Sequence, residues 1–145
     1  MYLCIMGRIL AIDYGKKRSG IAVTDSLQII ANGLTTVSSH SLMEFLKNYI
    51  KSESVERIVI GLPKKLDNTP SENMRNITPF VTRLKKELPD IPLEMYDERF
   101  TSAIAHQAMI LGGAKKSTRR DKAIVDEISA TIILNDYLES NKKKL

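Results

Sequence analysis

The chain has 145 residues, of which 43% are hydrophobic and 27% charged, proportions that suit one folded domain able to bury most of the surface its unfolded form exposes. Its single cysteine, Cys4, excludes an internal disulfide framework and a cysteine-based zinc site, and no apolar run reaches the roughly 18 residues needed to cross a bilayer, so a cytoplasmic protein is expected. The net charge of +5 and pI near 9.3 suit a polyanionic partner such as nucleic acid, although Lys142, Lys143 and Lys144 supply three of those charges.

Arg8 to Ile12 is a short apolar run ending at Asp13, the pattern of a central strand. Tyr14 to Lys17 reads as a hairpin turn in which Gly15 supplies freedom in φ, so the second strand, Ser19 to Thr24, pairs antiparallel with the first. A third strand is expected over Ile29 to Val37. Leu42, Phe45, Leu46, Tyr49 and Ile50 recur at helical spacing within Ser41 to Ser52. Arg57 to Gly61 is a buried strand whose place after a helix suggests a parallel crossover. A helix follows within Ser71 to Leu88, where Pro79 either kinks it or occupies the first turn after a Thr78 cap.

The fifth strand is Pro92 to Tyr96, running into Asp97-Glu98-Arg99. Thr101 or Ser102 caps a helix that closes at Gly112-Gly113, and the last helix runs from near Thr118 to about Ser140. There are no repeats or linkers. The sequence therefore reads as one α/β domain over 1–145, a mixed sheet flanked by helices, with 1–5 a dispensable extension before Met6 and 141–145 a frayed basic tail.

Three acids stand where buried elements meet an edge. Asp13 ends the first strand and Glu98 follows the last, so parallel strands ending on one rim bring both to the crevice where α/β sheets bind ligands. Asp126 shares a helical face with Ala123, Ala130, Ile133 and Tyr137, and a carboxylate on an apolar face is costly unless paired or bound to a metal. Its neighbour Glu127 points elsewhere. Each acid also has an ordinary structural explanation: a turn cap for Asp13, an ion pair with Arg99, Lys115 or Lys116 for Glu98, a buried hydrogen bond for Asp126. Taken together, hard carboxylate oxygens suit Mg²⁺ or Mn²⁺, and a pair of such ions can clamp an in-line phosphoryl displacement.

Asp13-Tyr14-Gly15-Lys16-Lys17-Arg18-Ser19-Gly20-Ile21-Ala22-Val23, Gly61-Leu62-Pro63, Asp97-Glu98-Arg99-Phe100-Thr101-Ser102 and Val125-Asp126-Glu127-Ile128-Ser129-Ala130 stand in order along nearly the whole chain. These blocks resemble the YqgF (RuvX) family, an RNase H-like group named both as Holliday junction resolvases and as pre-16S rRNA nucleases. The resemblance implies strand order 3-2-1-4-5 with the first three strands antiparallel, and a bacterial nuclease trimming the 5′ side of pre-16S rRNA. It assigns metal ligation and catalysis to Asp13, Glu98 and Asp126, with Asp97 a secondary candidate because its side chain alternates to the opposite face. Asn68 and Ser129 depart from the family pattern; Ser129 adds a hydroxyl beside Asp126.

Lys115, Lys116, Arg119 and Arg120 precede the Asp126 helix and are expected to hold substrate phosphates, with Lys16, Lys17, Arg18 and Arg99 in the same role. Asp121 reads as a capping residue, Asp25 and Asp67 as loop acids, and His40, His106 and Cys4 as bystanders. Structured RNA is the favoured partner, through a ribosome precursor, with branched DNA the alternative; the protein is expected to be a monomer or weak homodimer. A resolvase would need a dimer for paired nicks. An actin-like ATPase needs a second domain and is disfavoured. A non-catalytic nucleic-acid-binding module on the same fold is the remaining reading.

Overall fold

In the computed structural model, which describes residues 7–62, 74–97 and 122–143, five strands form one sheet in the order β3-β2-β1-β4-β5. β1 (Arg8–Asp13) pairs antiparallel with β2 (Arg18–Thr24), and β2 with β3 (Ala31–Ser38). β4 (Val55–Leu62) joins β1 in parallel, and β5 (Leu93–Asp97) joins β4 in parallel. Mixed sheet, order and strand directions agree with expectation. No helix among the described residues is long and apolar enough to cross a membrane.

Alternation along the strands divides the core into two layers. Leu10, Ile12, Ile21, Val23, Ile58 and Ile60 face α1 (Leu42–Ser52) and α2 (Met74–Glu87), whose Leu42, Leu46, Ile77, Phe80 and Leu84 complete that layer. Ile9, Ala11, Ala22, Ala31 and Val59 face α3 (Lys122–Lys143), which closes the second layer with Ala130, Ile133, Leu134, Tyr137 and Leu138. Each fully buried Leu or Ile contributes about 1.5–3 kcal/mol, so the two layers supply most of the stabilisation.

The residues under α3 are small, and this sets how closely the helix approaches. A Cβ built on Gly20 of β2 would lie 2.0 Å from the carbonyl oxygen of Asp126. The helix backbone therefore rests directly on the strand. At its other end α3 is held by Tyr137, whose hydroxyl donates to Glu94 Oε2 at 2.5 Å and accepts from Arg57, itself ion-paired to Glu94 at 3.2 Å.

Several boundaries differ from the sequence reading, for local reasons. β3 starts at Ala31 rather than Ile29, because Asp25 Oδ1 accepts from the amides of Ile29 (2.7 Å) and Ile30 (2.9 Å) and closes a turn around Gln28, whose φ is 59°. Pro79 lies inside α2, on its exposed side, so it is not a first-turn residue; the carbonyl deprived of an amide partner can turn to water. The 141–145 stretch read as a frayed tail is helical as far as Lys143. Gly15 has no left-handed φ; it is required by space, since a Cβ there would lie 2.4 Å from the Arg18 carbonyl oxygen. The helix expected between Thr101 and Gly113 and the cap at Thr118 and Asp121 lie outside the described residues, as do Cys4, Asp67, Asn68 and His106.

Candidate active site

β1, β4 and β5 run parallel and end together. Ile12 pairs with Ile60, Ile60 with Met95, and Gly61 with Tyr96, so Asp13, Gly61 and Tyr96 stand at one level of the rim. Ile9 and Ala11 face α3, and alternation gives Asp13 the same face. Across the sheet, Asp13 is the register partner of Gly20. Gly20 is also the residue on which the Asp126 backbone sits. One glycine without a side chain thus brings together two acids more than a hundred positions apart.

The turn between β1 and β2 is fixed from beneath. Ser39 Oγ donates to the Gly15 carbonyl at 2.6 Å, lies 2.9 Å from the Ser19 hydroxyl, and the Ser39 amide donates to the Lys17 carbonyl at 3.0 Å. The Gly15 amide donates to Ser19 Oγ at 3.4 Å, and Ser19 is fully buried. These hydroxyls hold Tyr14 to Arg18 in one conformation, which presents Lys16 and Lys17 to solvent. Sequence reasoning missed this network; the Ser19-Gly20 pair was the available signal, a small polar residue and a glycine in an otherwise apolar strand.

A cleft of about 320 Å³ opens at this point, lined by Gly15, Lys16, Lys17, Arg18 and Asp126. Arg18 Nε donates to Asp126 Oδ2 at 3.0 Å, with both side chains about one-third exposed. Arg18 was expected on substrate phosphates and here pairs with an acid of the site. Such a partly exposed pair contributes no more than about 1 kcal/mol, so a stronger ligand can displace it.

Of the expected site residues, Lys16, Lys17, Arg18 and Asp126 line this cleft, and Asp13 stands at the same rim as the register partner of Gly20. Asp97 ends β5. Glu98, Arg99, Lys115, Lys116, Arg119 and Arg120 lie outside the described residues. Glu127, read as pointing elsewhere, lies over β3 with its carboxylate against Gly33, 2.4 Å from where a Cβ would stand. Ser129 is buried, and its hydroxyl has no hydrogen-bond partner among the described residues, so it adds no bond beside Asp126. His40 is exposed, and Asp25 is the loop acid expected.

Comparison with known proteins adds four findings. Residues 7–140 match the model of the RuvX family, described as Holliday junction resolvase. A protein of Phocaeicola vulgatus named "Putative pre-16S rRNA nuclease" is 66% identical over 137 residues, covering 94% of this chain and 99% of the relative. A Parabacteroides distasonis protein of the same name is 58% identical over 140 residues, covering 97% of this chain and all of the relative. Among solved structures, T. thermophilus RuvC in complex with Holliday junction substrate matches with a TM-score of 0.52 at 14% identity, covering 94% of this chain and 96% of that one. That likeness shows a shared fold.

Proposed function

The chain belongs to the RuvX family, and from that membership we propose that it is a divalent-metal-dependent endonuclease of the cytoplasm that trims the 5′ side of pre-16S rRNA. The observation that carries this reading is the meeting of Asp13 and Asp126 at Gly20, beside a cleft lined by Lys16, Lys17 and Arg18. Acids and cations side by side are what cleavage of a polyanion requires: one set for the reaction, the other for the phosphates.

Among the described residues no group of three potential metal ligands gathers, and Asp13 and Asp126 offer two carboxylates of the kind that Mg²⁺ or Mn²⁺ takes. Carboxylate oxygens are the hard ligands such ions take, and Arg18 already lays a positive charge against Asp126. Asp13 and Asp126 would hold the ions, joined in this reading by Glu98. When bound, a pair of such ions activates a water and stabilises the leaving oxygen of an in-line displacement. Lys16 and Lys17 neutralise the backbone phosphates, and Arg18, once released from Asp126, joins them. Arg99, Lys115, Lys116, Arg119 and Arg120 extend the same contact.

The test is a cleavage assay on a precursor rRNA carrying its 5′ leader and, separately, on a four-way DNA junction. Wild type with Mg²⁺ cuts the leader, whereas wild type with EDTA and Glu98→Gln with Mg²⁺ do not. Paired nicks in the junction with an intact leader replace this reading by a resolvase. If neither substrate is cut with Mg²⁺ or Mn²⁺, the nuclease reading is wrong.

A further inference from the structure

The rim loop after β1 separates two clefts. One is the acidic and basic cleft at Asp126. The other, about 260 Å³, opens on the α1 and α2 side and is lined by Tyr14, Ser39, His40, Pro79, Phe80 and Arg83. Tyr14 follows Asp13 directly, packs against the α1 and α2 core layer, and stacks on Phe80 with ring centroids 4.9 Å apart and planes 22° from parallel. Arg83 is mostly exposed at the mouth, paired with Glu87 at 2.6 Å, and Glu87 is itself shared with Lys47 at 2.5 Å. The proposed mechanism uses none of these residues.

We infer that this second cleft receives one unpaired nucleotide of the substrate next to the cut, its base against the Tyr14 ring, which the buried Phe80 ring backs, and its phosphate on Arg83. The inference rests on the nuclease reading for the identity of the substrate. A cleft of this size lies just under the roughly 300–1,000 Å³ of pockets for drug-sized ligands, which suits a single base. Aromatic faces accept any base, which suits a grip that positions a strand without reading its sequence. Successive side chains on opposite faces give the division of labour: Asp13 on the reacting side, Tyr14 on the holding side. His40 adds a polar group at the exposed edge.

The experiment is a fluorescence titration, in EDTA, with a short single-stranded RNA carrying 2-aminopurine, a DNA of the same sequence, and the duplex of each. Wild type quenches the single-stranded probe and leaves the duplex probe unquenched; the tighter of the RNA and DNA complexes identifies the source of the nucleotide. Tyr14→Leu removes the quench. Arg83→Gln weakens single-strand binding and lowers its salt slope by about 0.7, one phosphate for a single strand. Glu87→Gln frees Arg83 and removes a negative charge, so binding tightens, by up to about 5-fold for a pair worth no more than 1 kcal/mol. A merely structural role for the Arg83–Glu87 pair would move both variants in the same direction, and that result overturns the inference. So does an unchanged salt slope in Arg83→Gln, or equal quenching of the duplex. Precursor cleavage with none of these effects removes the cleft and leaves the nuclease. The binding effects without any cleavage keep the cleft and remove the nuclease.

Discussion

Gly20→Ala tests how tightly the site depends on the seating of α3. The added methyl would stand 2.0 Å from the Asp126 carbonyl oxygen, 2.3 Å from its carbon and 2.8 Å from the Glu127 nitrogen. Against the roughly 3.5 Å at which packed heavy atoms are comfortable, the shortfall is about 1.5 Å. All three obstacles are backbone, so no side chain can rotate aside; α3 must lift or β2 must bend. Overpacking of this kind costs about 1–3 kcal/mol, and at roughly 2–4 °C per kcal/mol for a domain of this size the melting temperature drops by several degrees. Activity should fall further than stability. Displacing Asp126 by more than about 1 Å relative to Asp13 costs on the order of a hundredfold in rate. The assay pairs a thermal melt with leader cleavage at a temperature where the variant is folded. A folded Gly20→Ala protein with wild-type cleavage would refute the claim that contact of α3 with β2 sets the spacing of the acids.

Three other outcomes are expected. Asp126→Asn changes stability by less than about 1 kcal/mol, since its pair with Arg18 is partly exposed, while cleavage falls by more than about a hundredfold; urea denaturation and the leader assay read the two separately. Tyr137→Phe loses the hydroxyl shared between Arg57 and Glu94 and destabilises the protein by about 1–2 kcal/mol, and a urea midpoint equal to wild type would show that the network contributes nothing. The amides of Ile30 and Ile29 hold the Asp25 carboxyl below the usual carboxylate range. Its contribution is therefore fully present above the unfolded pKa and lost as pH falls through the lowered folded value; exchange of the Ile29 and Ile30 amides should accelerate with acid in wild type and lose that acid dependence in Asp25→Asn.

The strands themselves, the antiparallel first pair and the parallel crossover were legible because apolar runs, a short turn and the helical spacing in α1 are local patterns that agree with the global fold, whereas the strand order came with the family resemblance. The position of Asp126 among Ala130, Ile133 and Tyr137 was legible for the same reason. What sequence could not express was distance. Gly20 reads as a flaw in a strand until a helix backbone is found resting on it, and Ser19 as an ordinary strand residue until Ser39 arrives from beyond β3 to share its hydroxyl. Arg18 was assigned to substrate because it closes a basic run that follows Asp13; its bond to Asp126 joins residues 108 positions apart, which no local pattern carries. The start of β3 was misplaced because apolar Ile29 and Ile30 look like strand, while the deciding interaction is a side-chain carboxylate capping their amides.

The arrangement at the end of β1 ties chemistry and grip to one register. Asp13 takes the α3 face because Ile9 and Ala11 do, and Tyr14 packs with the opposite layer because Leu10 and Ile12 belong to it. A one-residue slip of β1 would move its entire buried set to the wrong layers, exchanging Ala11 beneath α3 for larger neighbours. The two cores therefore oppose such a slip with the burial of several Leu and Ile side chains, each worth about 1.5–3 kcal/mol. The same energy that specifies the fold holds an acid toward Asp126 and an aromatic ring toward Phe80. Positioning of the rim residues thus needs no separate stabilisation, and only the turn that joins them, fastened by Ser19 and Ser39, requires polar contacts of its own.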